Sequence, residues 1–213
     1  MQKKGKFIVI EGLDGSGSTT QTIMLGRYLF EKDKSNVPVL TREPTALTSH
    51  GREIRRRLKG ELLPGEEVID DFSYWADLFL NDRKWHLSNV VAGNIQNGLI
   101  VISDRHMLST LAYQSSQGGE METLLKMHRG LLKPDLTILL RLPVEIALQR
   151  QGKRGDDTEY FEKENFLRKV AENYEKAVNL AGREQNVVVI DGSLPVQDVH
   201  EQVIKEVDKI FEC

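Results

Sequence analysis

A strand, a glycine-rich loop and a helix are predicted in immediate succession near the start of the chain. Residues 7–10 (FIVI) form a short apolar run, residues 12–19 (GLDGSGST) form the loop, and residues 20–31 have the spacing of a helix. In this order, backbone N–H groups of the loop and of the helix N-terminus can surround phosphate oxygens. The succession predicts an α/β fold with a phosphate site directly after the first strand.

The loop fits the Walker A motif except at one position. Gly12 and Gly17 have the required spacing, and Thr19 is placed to bring a hydroxyl to Mg²⁺. Lysine is expected between Gly17 and Thr19, but the residue there is Ser18. The alternative interpretation is a glycine-rich turn in which Ser18 or Thr19 caps the helix. The residues predicted to bind phosphate are Gly12, Gly15, Ser16, Gly17, Ser18, Thr19 and Thr20.

Further apolar runs predict the rest of a sheet. Residues 99–102, 136–140 and 187–190 are short, β-branched and not alternating, as expected of strands covered on both faces, and residues 37–41 are a plausible fifth strand. Helices are predicted between the strands, which implies that the strands pair in parallel through right-handed crossovers. Ligands of such a sheet bind at the carboxyl ends of its strands. We therefore expect a three-layer fold with a five-stranded parallel sheet flanked by helices. The stretches with helical spacing are 20–31, 66–96, 120–132, 159–183 and 196–211.

Length, charge and cysteine content narrow the class of protein. A chain of 213 residues is long enough for one core, so we expect a single domain over residues 1–213. The net charge of −3, with basic residues dispersed apart from the run 55–57, argues against a general nucleic-acid binder. The single Cys213 and the shortness of the first apolar run indicate a reducing compartment, the cytoplasm, and no membrane span.

Several segments, in order along nearly the whole chain, carry a resemblance to a known family. Residues 104–114 (DRHMLSTLAYQ) resemble the signature of the thymidylate kinases, in which Asp-Arg and His or Tyr precede a Ser/Thr pair and Ala-Tyr-Gln. Residues 41–44 (TREP) and 79–83 (FLNDR) match two further family patterns. Residues 133–136 (KPDL) and 191–193 (DGS) complete the series. The resemblance implies a P-loop kinase that converts dTMP to dTDP with ATP and Mg²⁺.

The resemblance also implies residues that bind the acceptor nucleotide. Arg42 and Arg83 are expected to grip its phosphate, because a guanidinium can hold two oxygens at once. Phe79 is expected to stack on the base, and Asp14 to accept a hydrogen bond from the sugar 3′-hydroxyl. The alternatives are surface ion pairs for the arginines, a core aromatic for Phe79 and a turn former for Asp14.

The signature segment adds groups for the base and for the moving phosphate. Gln114, with Ser109 or Thr110, resembles the groups that read the edge of thymine; a polar helix face is the alternative. Asp104, at a strand end, is expected to hold Mg²⁺ or a metal-bound water together with Thr19. Arg105 is expected to contact phosphate during transfer, and also the acceptor.

Because the loop lacks its lysine, a cation from another segment is expected to neutralise the phosphates. The segment 151–158 is loop-like, and a short lid is predicted over approximately residues 150–160. We expect Lys153 or Arg154 to close over the phosphates and partly replace the lysine, whereas solvated lid charges are the alternative. Arg150 and Gly192 complete the predicted ATP-binding set.

The sequence alone is compatible with two other functions, and it does not determine the oligomeric state. The chain is either a kinase for dTMP, a kinase for a different nucleotide or metabolite, or a relative with weak or lost activity that binds nucleotides. Ser18 favours the last. The residues whose retention opposes it are Asp14, Thr19, Arg42, Arg83, Asp104 and Arg105. The resemblance further implies a homodimer, for which the stretch 66–96 with Phe72, Trp75 and Phe79 offers a helix surface; core packing explains the same pattern.

Overall fold

The computed structural model describes residues 5–69, 71–152, 160–182 and 184–212, with only the backbone described for residues 160–163. Within these ranges, one five-stranded sheet consists of β1 (Lys6–Gly12), β2 (Pro38–Arg42), β3 (Ile100–Asp104), β4 (Leu136–Arg141) and β5 (Val187–Asp191). All pairings are parallel and the strand order is β2–β3–β1–β4–β5. The predicted parallel sheet is confirmed, including its fifth strand.

Helices connect the strands and cover both faces of the sheet. A π-helical turn, Leu87–Val91, joins two of them into one continuous rod. The helices are α1 (Ser18–Lys32), α2 (Ser49–Leu58), α3 (Phe72–His86), α4 (Ala92–Gln96), α5 (Met107–Ser116), α6 (Met121–Met127), α7 (Val144–Gly152), α8 (Tyr160–Ala181) and α9 (Val196–Lys209).

The two faces of the sheet belong to separate apolar clusters. Ile8 and Ile10 of β1 pack with residues of α1 and α9. Phe7 and Val9, which alternate with them, pack on the opposite face with Val91 of the π-helical turn. Because side chains of a strand alternate between faces, a strand buried on both faces carries an unbroken apolar run. This explains why the short apolar runs predicted strands correctly.

The parallel arrangement brings five strand ends to one edge of the sheet. Arg42 at the end of β2 is in register with Asp104 at the end of β3, and Ile10 of the central strand is in register with the same aspartate. Gly12 and the glycine loop follow at the middle of this edge. The carboxyl edge of an open α/β sheet is where such folds bind ligands.

The long helix predicted from residue 66 begins only at Phe72. The Asp71 side chain accepts a hydrogen bond from the backbone N–H of Ser73 at 2.9 Å and caps α3. Glu66 is held instead by Arg56, with Nη–Oε distances of 2.6 and 2.7 Å, and is therefore drawn away from the helix. An ion pair between segments thus overrides the helical spacing of residues 66–71.

Other boundaries also differ from the prediction. α2, α5 and α7 lie outside the stretches predicted to be helical. α6 ends at Met127 rather than at residue 132, because the chain turns at Gly130, whose φ is 81°. Gln151 and Gly152, predicted to begin the lid loop, form the last turn of α7. The rest of the predicted lid, residues 153–159, lies outside the described residues. Among the helices described, none is long and apolar enough to cross a bilayer.

Candidate active site

The glycine loop leaves the N-terminus of α1 open. Gly17 is the N-cap residue of α1, and no side chain caps the helix, so neither Ser18 nor Thr19 has the capping role of the alternative interpretation. Gly15 has a φ of 91°, and a Cβ there would lie 2.5 Å from the carbonyl oxygen of Ala147 in α7. The loop is therefore packed against α7, with uncapped N–H groups of a helix start available to an anion.

A cavity of about 260 Å³, here called the loop cavity, lies over this helix start. Ser18 lines it and is buried, so the position expected to hold lysine carries a short hydroxyl side chain. The cations in its wall are arginines from three other elements. Its lining includes Asp14, Gly17, Ser18, Thr19, Arg42, Arg55, Asp104 and Arg105.

Thr19 and Asp104 are brought together as predicted for a metal site. The Thr19 hydroxyl donates a hydrogen bond of 2.5 Å to Oδ2 of Asp104. Oδ1 of Asp104 is buried and has no hydrogen-bond partner among the described residues. Hydroxyl and carboxylate oxygens suit Mg²⁺, which usually keeps waters and phosphate oxygens as its other ligands. The part of the chain described offers no cluster of three or more His, Cys, Asp or Glu residues for a metal.

Arg105 joins the loop cavity to a second cavity. Its backbone has a φ of 75° and its N–H donates to the carbonyl oxygen of Ile10 at 2.8 Å. Its side chain donates to Asp14 at 2.6 Å and to Ser109 at 3.0 Å. The guanidinium also lies 5.3 Å from the ring centre of Tyr113. Arg105 and Asp14 are therefore fixed at the junction of the two cavities.

Glu11 is a site residue that sequence reasoning missed. It is fully buried at the end of β1, and burial raises the pKa of its carboxyl above the ordinary value. The carboxylate accepts hydrogen bonds from the backbone N–H of His106 at 2.9 Å and from the hydroxyl of Ser109. Glu11 thereby ties the glycine loop to the start of α5. The sequence signal was a carboxylate interrupting an apolar strand at its carboxyl end.

The second cavity, about 300 Å³, is lined mainly by aromatic and apolar side chains and is called the aromatic cavity below. Phe79 lies in its wall, as predicted for a residue that stacks on a base. Gln114 is buried there, and its Oε1 has no hydrogen-bond partner among the residues described. A buried amide oxygen without a protein partner is able to accept a hydrogen bond from a donor in the cavity. The lining includes Glu43, Pro44, Leu58, Trp75, Phe79, Arg83, Ser109, Thr110, Tyr113, Gln114 and Phe166.

Arg42 and Arg83, both predicted to bind the acceptor phosphate, line different cavities. Arg42 is exposed in the loop cavity, whereas Arg83 is buried and lines the aromatic cavity. Nε of Arg83 donates to Oε2 of Glu43 at 2.7 Å, which holds the side chain inward. Nη2 of Arg83 also donates to the hydroxyl of Thr110 at 2.9 Å. Arg83 therefore faces the aromatic cavity and Arg42 the loop cavity.

Glu43 is the centre of this buried network. Its Oε1 lies 2.9 Å from Nδ1 of His86 and 3.1 Å from Nδ1 of His106. Burial alone would raise the pKa of Glu43, but Arg83 and the two histidines outweigh burial and hold its pKa well below the ordinary value of 4.5. The carboxylate is consequently ionised and paired with Arg83.

Replacing Glu43 by glutamine should lower the free energy of unfolding by about 3–5 kcal/mol, because Arg83 would keep a buried charge without its partner. A depressed pKa in the folded state stabilises the protein fully above the unfolded-state pKa, and this stabilisation is lost as the pH falls towards the folded-state value. The difference between wild type and Glu43→Gln in urea unfolding should therefore be smaller at pH 3 than at pH 7. A difference below about 1 kcal/mol at pH 7 would contradict the pairing.

Arg55 of α2 is a second residue that sequence reasoning missed. It lines the loop cavity, and its guanidinium donates to the backbone carbonyl oxygens of Pro44 and Thr45. Burial, followed by the charge of Arg42, lowers the pKa of Arg55. Arg56 and Arg57 of the same basic run pair with Glu66 instead. One arginine of the three thus points into the site, and the packing of α2 decides which one.

The remaining predicted ATP-binding residues meet at a third cavity of about 560 Å³, the helix-end cavity. Arg150 of α7 donates to the carbonyl oxygens of Gly192 at 2.8 Å and Ser193 at 3.3 Å. Thr20 and Gly15 line the same cavity, so it continues from the glycine loop. Ser16 also lines it, whereas Gly12 packs against Ser16, with a Cβ on Gly12 only 2.5 Å from Oγ of Ser16. Lys153 and Arg154, predicted to replace the missing lysine, lie outside the described residues.

Comparisons with known proteins agree with this geometry. A family model described as "Thymidylate kinase" matches residues 10–203. The chain is 38% identical over 207 residues to a probable thymidylate kinase of Thermococcus onnurineus (strain NA1), covering 95% of this chain and 97% of that protein. It is 37% identical over 204 residues to a probable thymidylate kinase of Pyrococcus abyssi (strain GE5 / Orsay), covering 94% and 95%.

A bacterial relative is equally similar. The thymidylate kinase of Carboxydothermus hydrogenoformans (strain ATCC BAA-161 / DSM 6008 / Z-2901) is 38% identical over 205 residues, which are 92% of this chain and 93% of that protein. The family match extends from the end of β1 over the glycine loop and the other four strands, in a fold whose loop cavity shares residues with both the aromatic and the helix-end cavities. The chain belongs to the thymidylate kinase family.

Proposed function

We propose that the chain transfers the γ-phosphoryl group of ATP to dTMP, giving dTDP and ADP for the synthesis of dTTP. The observation that carries the proposal is the meeting of the loop cavity and the aromatic cavity, which share Asp14, Glu43, Pro44 and Arg105 in their walls. One cavity has the chemistry for phosphate and the other for a base. Relatives named thymidylate kinase, aligned over more than nine-tenths of the chain, support the same activity.

The donor occupies the glycine loop and the helix-end cavity. Backbone N–H groups of residues 12–20 surround the β- and γ-phosphates, as the open N-terminus of α1 allows. The adenosine part of ATP extends along the helix-end cavity, beside Arg150 and Gly192. Arg150 acts there chiefly by fixing the loop after β5, since its guanidinium is bonded to carbonyl oxygens of that loop.

Thr19 and Asp104 are the residues that would hold Mg²⁺. The free Oδ1 of Asp104 supports this proposal, because a buried carboxylate oxygen without a partner among the described residues is suited to a cation or a metal-bound water. The ion supplies charge neutralisation to the transferring group when it is bound. Asp104 also accepts the Thr19 hydroxyl, and so it orients the start of α1 towards the phosphates.

The acceptor spans both cavities. Arg42, Arg55 and Arg105 bind its phosphate from three sides of the loop cavity. Its sugar lies at the junction, where Asp14 accepts from the 3′-hydroxyl while keeping its bond to Arg105. Ser109 serves this junction rather than the base, because its hydroxyl donates to Glu11 and accepts from Arg105.

The base lies in the aromatic cavity, stacked on Phe79. The free Oε1 of Gln114 accepts from the ring N–H of thymine, and Arg83, fixed by Thr110 and Glu43, donates to a ring carbonyl. Cytosine has no ring N–H at that position and carries an amino group in place of one carbonyl. Both contacts therefore disfavour dCMP.

Phosphoryl transfer depends on positioning and on charge around the moving group. Ser18 removes one expected cation, and Arg42, Arg55 and Arg105 supply positive charge on the acceptor side. Lys153 or Arg154 remains our proposal for the donor side. With the acceptor phosphate held by these arginines, one of its oxygens forms the bond to the γ-phosphorus in line with the bond to the bridging oxygen, which breaks and leaves with ADP.

The chain is proposed to act as a single kinase domain, in the cytoplasm and as a homodimer. Trp75 and Phe79, first considered for a dimer surface, line the aromatic cavity. Exposed Leu62 and Leu63, in the segment between α2 and α3, offer apolar surface instead. A mass near twice 24.2 kDa by light scattering is expected.

Replacing Phe79 by alanine should raise KM for dTMP about tenfold, because base–aromatic stacking contributes ~1–3 kcal/mol. KM for ATP should not change, since Phe79 lies in the aromatic cavity. Steady-state kinetics with each substrate varied in turn measure both constants. Trp85→Ala is the matched control, an exposed aromatic on the same helix. Equal effects of the two substitutions would remove Phe79 from base recognition.

A panel of acceptors tests the function itself. ADP release is measured with ATP, Mg²⁺ and one of dTMP, dUMP, dCMP, dGMP or thymidine. We expect the highest kcat/KM for dTMP, weaker use of dUMP, and little turnover of dCMP or of thymidine, which lacks the phosphate that the arginines bind. Faster turnover of another acceptor would reject dTMP as the substrate.

A further inference from the structure

His128, the residue that follows α6, has a hydrogen-bonding role defined by its two neighbours. It is buried, and its Nδ1 lies 2.7 Å from the carbonyl oxygen of Leu124. A carbonyl only accepts, so Nδ1 carries the proton. Nε2 then has a free lone pair and lies 2.5 Å from Nη1 of Arg83, which only donates. His128 is therefore a neutral acceptor for Arg83.

The electrostatic setting keeps the ring neutral. Burial, and next the charge of Arg83, lowers the pKa of His128 to about 3. Protonation would place a second cation against a buried guanidinium. The ring thus remains an acceptor throughout the physiological pH range.

Most N–H groups of the Arg83 side chain donate to an acceptor within the protein. Nε donates to Glu43, and Nη2 donates to the carbonyl oxygen of His106 and to Thr110. With His128 on Nη1, four of the five N–H groups have partners, and one N–H on Nη1 is left for a ligand. Arg83 lines the aromatic cavity, where that ligand is the base.

Space behind Arg83 makes His128 necessary for this arrangement. A further cavity of about 340 Å³ lies on the other side, and Arg83 and His106 line both this cavity and the aromatic cavity. His128 lines only the rear one of these two. Without an acceptor there, Nη1 would gain room to move away from the aromatic cavity.

We propose that His128 is a positioning residue for acceptor recognition, which accepts one N–H of Arg83 Nη1 so that the other is directed to a carbonyl of the base. The proposal rests on the function proposed above. His128 touches neither substrate and acts through Arg83.

Two substitutions separate this role from simple packing. His128→Leu removes the acceptor, and we expect about a tenfold rise in KM for dTMP and a similar loss in the ratio of kcat/KM for dTMP over dCMP. KM for ATP should be unchanged. His128→Gln places an amide oxygen near the position of Nε2, and it should restore most of the selectivity.

A buried histidine elsewhere provides the control. His200 of α9 bonds Gln21 at 3.0 Å, far in sequence from the Arg83 network. His200→Leu should lower thermal stability as His128→Leu does, yet leave the dTMP over dCMP ratio as in the wild type. If His200→Leu changes that ratio equally, or if His128→Gln behaves as His128→Leu, the positioning role is rejected.

An NMR measurement tests the proposal independently of turnover. Two-bond ¹H–¹⁵N correlation of the histidine rings at pH 7 should show His128 as the neutral tautomer with Nδ1 protonated. A charged ring or the opposite tautomer would overturn the proposal whatever the enzyme does. If the wild type does not phosphorylate dTMP, the proposed function is wrong, but the role of His128 can still be tested. Calorimetry then measures the affinity of dTMP for the wild type and both variants and shows whether His128 positions Arg83.

Discussion

Arg105→Lys is expected to lower kcat for dTMP phosphorylation by about 10²–10³-fold, the usual effect of losing a preorganised donor to the transition-state charge. The guanidinium donates to Asp14 at 2.6 Å and to Ser109 at 3.0 Å while it lines both the loop cavity and the aromatic cavity. Lysine keeps the charge but has no planar fork with which to hold these partners and a phosphate together.

The test compares single-turnover rates of the variant and of a matched control. Arg141→Lys changes another arginine at a strand end, which pairs with Glu175 at 2.6 Å and is about half exposed. We expect Arg141→Lys to retain the wild-type rate. A loss of less than tenfold in Arg105→Lys would mean that position 105 needs only a charge, and the bridging role of Arg105 would be wrong.

Ser18→Lys is expected to raise kcat at least about tenfold, because the full contribution of such a cation is ~10²–10³ in rate. Ser18 is the first residue of α1, and its side chain is buried in the wall of the loop cavity. A lysine there extends into the space that the phosphates occupy. The rise in kcat will be smaller than this full contribution if other cations already replace part of the lysine's charge.

Ser49→Lys is the control for Ser18→Lys. Ser49 is likewise the first residue of a helix, α2, but it is exposed and lies outside the walls of the loop cavity. Its replacement should leave kcat unchanged. If Ser18→Lys has no effect on kcat, the phosphate charge is already neutralised by other groups, and Ser18 is not a deficiency of this loop.

The strands and the glycine loop could be predicted because their local sequence determines them. Strand β1 is buried on both faces, so its apolar run leaves few other structures, and Gly15 occupies a place where a Cβ would meet a carbonyl of α7 at 2.5 Å. The pairing of Thr19 with Asp104 followed from the parallel sheet, which brings the ends of β1 and β3 together. These relations depend on spacing along one segment or on strand topology.

The role of Arg83 and the presence of Arg55 in the site could not be predicted by the same means. Arg83 lies one turn from Phe79 on α3, but its direction is set by Glu43, which is 40 residues away. Arg55 belongs to a basic run whose other members pair with Glu66, and only the packing of α2 decides which arginine enters the cavity. Long-range ion pairs of this kind leave no periodic trace in a single sequence.

The central claim is that this chain phosphorylates dTMP although its glycine loop lacks the lysine. The direct measurement incubates the purified protein with ATP, Mg²⁺ and dTMP and quantifies dTDP and ADP by chromatography, beside the Arg105→Lys variant. We predict dTDP and ADP in equal amounts, at a rate well above that of the variant. Binding of both nucleotides without dTDP, or ADP formed without dTDP, would contradict the claim.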